Sequence, residues 1–136
     1  MSDTSYNTTG VILAFAAIVE VGTGLALMID PTLFVWLLMG ADVVGVGIVL
    51  GRCFGIALVA LGLACWPSGQ RAVIKSSAFR AMLTYNALIA LYLAYLRLAS
   101  RQGGLLLWPA LLLHALVALL LIWMWRHDRW AKAANG

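Results

Sequence analysis

A few polar residues interrupt the long apolar stretches of this sequence, and they are the first candidates for chemistry. Glu20 stands inside AAIVEVGTGLAL, residues 16–27, and His114 stands inside LLLWPALLLHALVALLL. A buried carboxyl or imidazole group needs a partner, so residues of these types tend to meet in the interior of a fold. The sequence therefore predicts a binding pocket formed by Glu20, Arg52, Tyr85, Asn86, Tyr92 and His114.

Several chemical roles are open for these residues. Glu20 could form an ion pair with Arg52, or it could stand alone and exchange a proton for a cation. His114 could be a neutral, hydrogen-bonded residue, or it could bind a ligand or transfer a proton. We expect Glu20 to pair with Arg52, with His114 and Tyr92 close by. The alternative is that Arg52 extends its long side chain to the lipid headgroups.

The composition of the chain determines which elements must position these residues. Of the 136 residues, 64% are hydrophobic and 10% are charged, which is typical of a membrane protein. A helix needs roughly 20 apolar residues to cross the hydrocarbon core. Continuous apolar runs, rather than short alternating ones, favour helices over a barrel. The sequence therefore predicts an all-α domain over residues 1–136, a four-helix transmembrane bundle with spans at about 11–29, 47–66, 79–98 and 105–125.

The rise of a helix predicts how deep the polar residues lie in these spans. Measured from the outer ends of the predicted helices, Glu20 and His114 lie about 13 Å deep, Arg52 about 8 Å and Tyr92 about 9 Å. The predicted pocket therefore belongs to the outer half of the bilayer.

The first external connection, residues 30–46, is long and apolar. Pro31 ends the first span, and residues 33–39 are too short to cross the bilayer. We expect an apolar loop or a short helix that lies at the outer surface or folds back over the bundle. A lid over the site is the functional interpretation of this segment.

The basic residues predict the orientation of the chain. One side of the predicted bundle carries most of them, and the opposite side has Arg97 and Arg101. Because cytoplasmic loops are enriched in Lys and Arg, both termini are expected in the cytoplasm, in the inner membrane of a bacterium. The net charge of +4 follows from this distribution and gives no support for nucleic-acid binding. The residues on the basic side are Arg71, Lys75, Arg80, Arg126, Arg129 and Lys132.

Small residues form a stripe on the second span. A glycine stripe lets another helix approach closely, either inside the bundle or in a homodimer, and the sequence does not separate the two. The stripe consists of Gly47, Gly51, Gly55 and Gly62. The sequence shows no metal-ligand spacing and no glycine-rich phosphate loop, so no metal is expected and no cofactor is evident.

The layout of the chain resembles the DoxX-like group of small four-helix bacterial inner-membrane proteins. The resemblance rests on ALMIDPTLF, GRCFGIALVALGLACW, TYNALIALYLAYL and WPALLLHALVALLL, which cover most of the chain. It implies a four-helix bundle, in a group that includes a quinone-linked thiosulfate oxidoreductase subunit. It carries over no catalytic residue.

A second resemblance is to the small multidrug resistance transporters, whose first helix holds a membrane-embedded glutamate. The segment AAIVEVGTGLALM is similar to that helix, and GVGIVL, residues 45–50, is similar to another segment of the family. In the family that segment lies in the third helix, whereas here it opens the second. The resemblance implies that Glu20 is a shared site for a proton and a cation.

Three classes of function follow from these features. We favour an integral membrane binding or accessory protein, as a subunit of a larger complex or as a homodimer, with a pocket for a quinone or a lipid-like molecule. The alternatives are a proton-coupled transporter that uses Glu20 and a quinone-linked redox subunit. Strong enzymatic signatures are absent from the sequence, which favours a protein that is not an enzyme.

Overall fold

The computed structural model of the protein describes residues 3–67, 76–101 and 103–134. These residues form five helices and no strand. The helices are α1 (Asp3–Ile29), α2 (Pro31–Met39), α3 (Val46–Ala64), α4 (Ser77–Leu98) and α5 (Leu107–Ala134). Arg71 and Lys75, on which part of the orientation argument depends, lie outside the described residues.

Four of these helices are long and apolar enough to cross a membrane. The candidate spans are Thr8–Ile29, Val46–Ala64, Ser77–Leu98 and Leu107–Trp130. Large apolar side chains such as Val11, Leu91 and Leu119 are exposed on their outer faces, as lipid contact requires. Because a helix bonds its own backbone groups, each span can lie in hydrocarbon. The protein is therefore a multi-pass integral membrane protein built as a four-helix bundle, as the sequence predicted.

All four spans differ from the predicted ones at one end or both: α1 begins at Asp3 rather than at residue 11, and α4 begins at Ser77 rather than at residue 79. The second span ends at Ala64, and Cys65 caps α3 through its backbone N–H. The last helix starts at Leu107, and before it the N–H groups of Gly104 and Leu106 donate to the carbonyls of Leu38 and Leu37, both at 2.9 Å. The same helix continues past the predicted end at residue 125 as far as Ala134.

The connection after the first span is the short helix α2. The Asp30 carboxylate accepts a hydrogen bond from the Leu33 N–H at 2.9 Å and caps its start, with Pro31 in its first turn. Gly40 ends the helix at φ 71°, a left-handed conformation that favours glycine. Since the carbonyls at its end accept the bonds from Gly104 and Leu106, α2 is fixed at both ends across one end of the bundle.

The spans pack as two pairs, α1 with α3 and α4 with α5. Glycines allow the first pair to approach closely: a Cβ on Gly55 would lie 2.6 Å from the Gly24 carbonyl oxygen, and one on Gly62 would lie 2.8 Å from the Ala17 carbonyl oxygen. Gly51 faces Pro31, while Gly47 faces only the Val43 side chain. Three of the four stripe glycines therefore pack within the chain. Their positions give no support to a homodimer face.

The two ends of the bundle are packed differently. At the end away from α2, a dry core joins α1, α4 and α5 around Phe79, Met82 and Leu121, which are at most 1% exposed. At the α2 end, α2 contacts α1, α3 and α5, whereas α3 makes almost no backbone contact with α4 or α5 among the described residues. The two helix pairs are thus packed together at one end of the bundle and separated at the other, which we call the divided end.

The orientation of the chain in the membrane stays a prediction. In a variant that lacks Cys53 and Cys65, a cysteine introduced beside Lys132 is expected to react with a membrane-impermeant maleimide only from the cytoplasmic side. A cysteine at Asp42 is expected to react only from outside. The excess of Lys and Arg on one side is the physical reason. Labelling of intact cells and of inverted vesicles measures it, and external labelling beside Lys132 would overturn the charge argument.

Candidate functional site

A cavity of about 470 Å³ fills the divided end of the bundle. All five helices contribute to its wall, and α2 forms its roof through Phe34, Val35, Leu38 and Met39. The wall is mostly apolar. Its polar side chains are Thr23, Tyr85, Tyr92 and His114, and its remaining lining residues are Val19, Leu27, Gly51, Phe54, Leu58, Ile89, Leu93, Leu106, Pro109, Ala110 and Leu113.

At the floor of the cavity, Asn86 and His114 form a hydrogen bond between α4 and α5. Asn86 Nδ2 donates to the Met82 carbonyl oxygen at 2.9 Å. This bond fixes the amide, so that Asn86 Oδ1 faces His114 Nδ1 at 2.8 Å. Asn86 is 1% exposed and His114 is 8% exposed. The sequence prediction placed both residues in a pocket, and the structure brings them into direct contact.

Glu20 lies behind this floor and has no hydrogen-bond partner. It is 1% exposed and does not line the cavity. The Nδ1 atom of His114 lies 3.9 Å from Glu20 Oε1, too far for a hydrogen bond. Both carboxyl oxygens are fully buried without a partner, the only such side-chain atoms among the described residues. A buried carboxyl group without a hydrogen-bond partner lowers the stability of the fold.

Tyr85 completes the polar cluster of Glu20, Asn86, His114 and Tyr85. Its ring meets the His114 ring edge to face, with centroids 5.8 Å apart. Tyr85 and His114 both line the cavity, so they stand between the cavity and Glu20.

The predicted pairing of Glu20 with Arg52 is wrong. Arg52 is exposed, and the Glu20 oxygens have no partner. The reason is the rotation of α3 about its axis. Phe54 faces the cavity. Arg52 lies two residues earlier in the helix, so it points about 160° away from Phe54. Arg52 therefore points away from the site, as the alternative interpretation, extension to the lipid headgroups, requires.

Tyr92 lines the cavity but lies at its rim rather than beside Glu20. It is 56% exposed, and its ring stacks on that of Tyr95, with centroids 6.4 Å apart. Tyr95 is also exposed and does not line the cavity. The expectation that Tyr92 lies close to Glu20 is therefore not supported by the structure.

Two contributors to the site were not identified from the sequence. Thr23 lines the cavity one helical turn after Glu20, and the spacing of three residues is a signal that could have identified it. The roof residues of α2 form the second set. Their run, PTLFVWLLM, was recognised as too short to span, but nothing in it showed which side chains face inward.

The helices α3 and α4 hardly touch each other among the described residues, and both line the cavity. Phe54 on α3 and Tyr92 on α4 both line the cavity, and both are about half exposed, at 46% and 56%. Phe54 and Tyr92 therefore contribute both to the cavity wall and to the exposed surface of the bundle.

These features define a class: an integral membrane four-helix bundle with an intramembrane cavity and a buried polar floor. Within the described part of the chain, no group of three or more His, Cys, Asp or Glu residues is arranged to hold a metal ion. Comparisons with protein-family models, with curated proteins and with solved structures give no match.

Proposed function

We propose that this protein binds an apolar molecule with a small polar head, such as a quinone or another lipid-like compound, inside the membrane. The observation that carries the proposal is the cavity between α3 and α4, with Tyr85 and His114 at its floor. Binding sites for small molecules are typically about 300–1,000 Å³ and mostly apolar, with a few polar groups that orient the ligand. The cavity agrees with this description in size and in lining.

The gap between α3 and α4 supports access from the bilayer rather than from water. The α2 helix covers the end of the cavity, and its hydrogen bonds to Gly104 and Leu106 hold it in place. A ligand dissolved in the lipid would pass between Phe54 and Tyr92, with its head leading toward His114. Such a path suits a compound that partitions into membranes.

On this proposal the protein acts as a binding or accessory component, in a larger membrane complex or as a homodimer. The DoxX-like resemblance supports the accessory role and a bacterial inner membrane as the location, with both termini cytoplasmic. A quinone-linked redox subunit is a narrower form of the same proposal, because a quinone is itself an apolar molecule with a polar ring.

Proton-coupled transport through Glu20 is a second candidate function. It is favoured by one observation, the two Glu20 oxygens that lack a partner. A carboxyl group without a cationic partner is free to exchange a proton for a cation, which the predicted pair with Arg52 would have prevented. The position of Glu20 behind Tyr85 and His114, outside the cavity wall, favours the binding function over this one.

A substitution that fills the cavity tests the binding function. Ala110 lines the cavity on α5, and Ala110→Phe is expected to place a ring in the space of the ligand. Native mass spectrometry of the purified protein is expected to show a bound apolar molecule on the wild type and at least a tenfold lower occupancy in the variant. That change corresponds to about 1.4 kcal/mol or more of binding free energy.

Ala57→Phe is the matched control, because Ala57 is exposed on α3 and does not line the cavity. It is expected to keep the occupancy of the wild type. Equal occupancy in all three proteins, or none in any of them, would contradict the binding function. Dissipation of a pH gradient by an added hydrophobic cation in proteoliposomes, lost in Glu20→Gln, would favour transport instead.

A further inference from the structure

We infer that the polar head of the ligand is a hydroxyl group, which donates a hydrogen bond to Nε2 of His114. This inference rests on the proposed function. This assignment narrows the ligand to alcohols, phenols and quinols. It favours alcohols and phenols over ethers and ketones, and the reduced quinol form over the quinone of the same compound.

The amide of Asn86 has one possible orientation. A backbone carbonyl oxygen only accepts, so the Asn86 atom that faces the Met82 carbonyl at 2.9 Å must be the amide nitrogen. The amide oxygen is then the atom that faces His114, at 2.8 Å. The orientation of Asn86 is therefore fixed by its own helix, independently of His114.

The orientation of Asn86 in turn fixes the proton on the imidazole. Because Asn86 Oδ1 is an acceptor, Nδ1 of His114 must carry the hydrogen that it donates. In the neutral ring the other nitrogen, Nε2, then holds a lone pair and accepts. A hydrogen bond to one ring nitrogen commonly selects the tautomer of a functional histidine.

The accessibility of Nε2 makes it the atom that meets the ligand. His114 lines the cavity, and Nε2 has no hydrogen-bond partner among the described side chains and backbone groups around it. It is also not one of the fully buried atoms without a partner, which in the described ranges are the two Glu20 oxygens. Because Asn86 occupies the other ring nitrogen, Nε2 is the polar atom that His114 presents to the ligand.

The Glu20 side chain does not reverse this assignment. An ionised pair between Glu20 and His114 would turn Nε2 into a donor, but the two groups are 3.9 Å apart and share no hydrogen bond. Burial of two charges is offset only by close, well-bonded geometry. The neutral imidazole, with Nε2 as the acceptor, is the form that this geometry supports.

A matched pair of ligands tests the inference on the wild-type chain. The probes are para-octylphenol, whose hydroxyl donates, and para-octylanisole, its methyl ether, which only accepts. Each is titrated against the full chain in detergent, and the bound fraction is measured by native mass spectrometry. The phenol is expected to bind about tenfold more tightly than the ether, the size of one hydrogen bond to a buried partner.

The results separate this inference from the proposed function. If both probes bind with equal affinity, or the ether binds more tightly, the donor assignment is overturned while the binding function stands. If neither probe binds, the proposed function fails and the inference fails with it. His114→Leu is expected to bring the ratio of the two affinities to about one. Asn86→Leu is expected to lower the ratio as well, because without the Asn86 oxygen the proton of His114 is no longer held on Nδ1. The wild-type ratio decides the question even if neither variant folds.

Discussion

Replacing Glu20 with methionine is expected to stabilise the protein. Glu20 is 1% exposed, and neither of its carboxyl oxygens has a hydrogen-bond partner. An apolar side chain of similar volume removes the cost of burying that group, so the free energy of unfolding should rise by about 1–3 kcal/mol. Unfolding in mixed micelles, followed by far-ultraviolet circular dichroism, measures the change.

The control for this substitution is Glu20→Gln, which keeps the shape of the side chain and leaves a polar group buried at the same position. It is expected to change the free energy of unfolding by less than about 1 kcal/mol. A loss of stability in both variants would show that Glu20 has a partner that holds the bundle together. A gain with methionine means that Glu20 is retained at a cost to stability, as residues at functional sites often are.

Replacing Gly55 with leucine is expected to separate α3 from α1. A Cβ at this position would lie 2.6 Å from the Gly24 carbonyl oxygen and 2.9 Å from Met28 Cγ. Because the first of these is a backbone atom, the helices must move apart to admit any side chain. The expected loss of unfolding free energy is about 3 kcal/mol or more. The same unfolding assay measures it.

Gly22 offers a matched control on the partner helix. It is exposed, and a Cβ there would meet nothing within 4 Å. Gly22→Leu is expected to leave the stability unchanged or to raise it slightly, because leucine favours a helix more than glycine does. Similar stabilities for the two leucine variants would contradict the close packing of α1 on α3.

The spans were predictable from the sequence because continuous apolar runs leave few alternatives. The helix α2 was predictable in part, because Pro31 and the length of the apolar run indicated a short helix. Its attachment to the segment 103–106 was not predictable, because it depends on hydrogen bonds between parts of the chain that are distant in the sequence. The extension of α5 beyond residue 125 was missed, since a helix can continue past the hydrocarbon core into polar sequence.

The depth of the site residues was also predictable, but their rotation about the helix axes was not. The helical rise placed Glu20 and His114 at one level, and the structure brings them within 3.9 Å. Arg52 lies at a nearby level but on the opposite side of α3 from the cavity. Its direction is set by how Gly55 and Gly62 pack on α1, which is a property of the helix pair.

The cavity could not be derived from the sequence, because it results from contacts that two helices do not make. The separation of α3 from α4 leaves Phe54 and Tyr92 facing a shared space. Phe54 does not differ in type from the lipid-facing residues around it, whereas the hydroxyl of Tyr92 marked it as a pocket residue in the sequence. Sequence reasoning therefore identified the polar floor more readily than the apolar walls.

Photolabelling tests the central claim, that an apolar ligand with a polar head occupies this cavity, most directly. A phenol carrying an alkyl diazirine is activated by light in the presence of the full chain, and the modified residues are identified by peptide mass spectrometry. The account predicts adducts concentrated on cavity residues of α3 and α4, such as Phe54 and Ile89, that unlabelled para-octylphenol suppresses. Adducts spread over lipid-facing residues such as Leu112 and Leu119, with no suppression by the competitor, would contradict it.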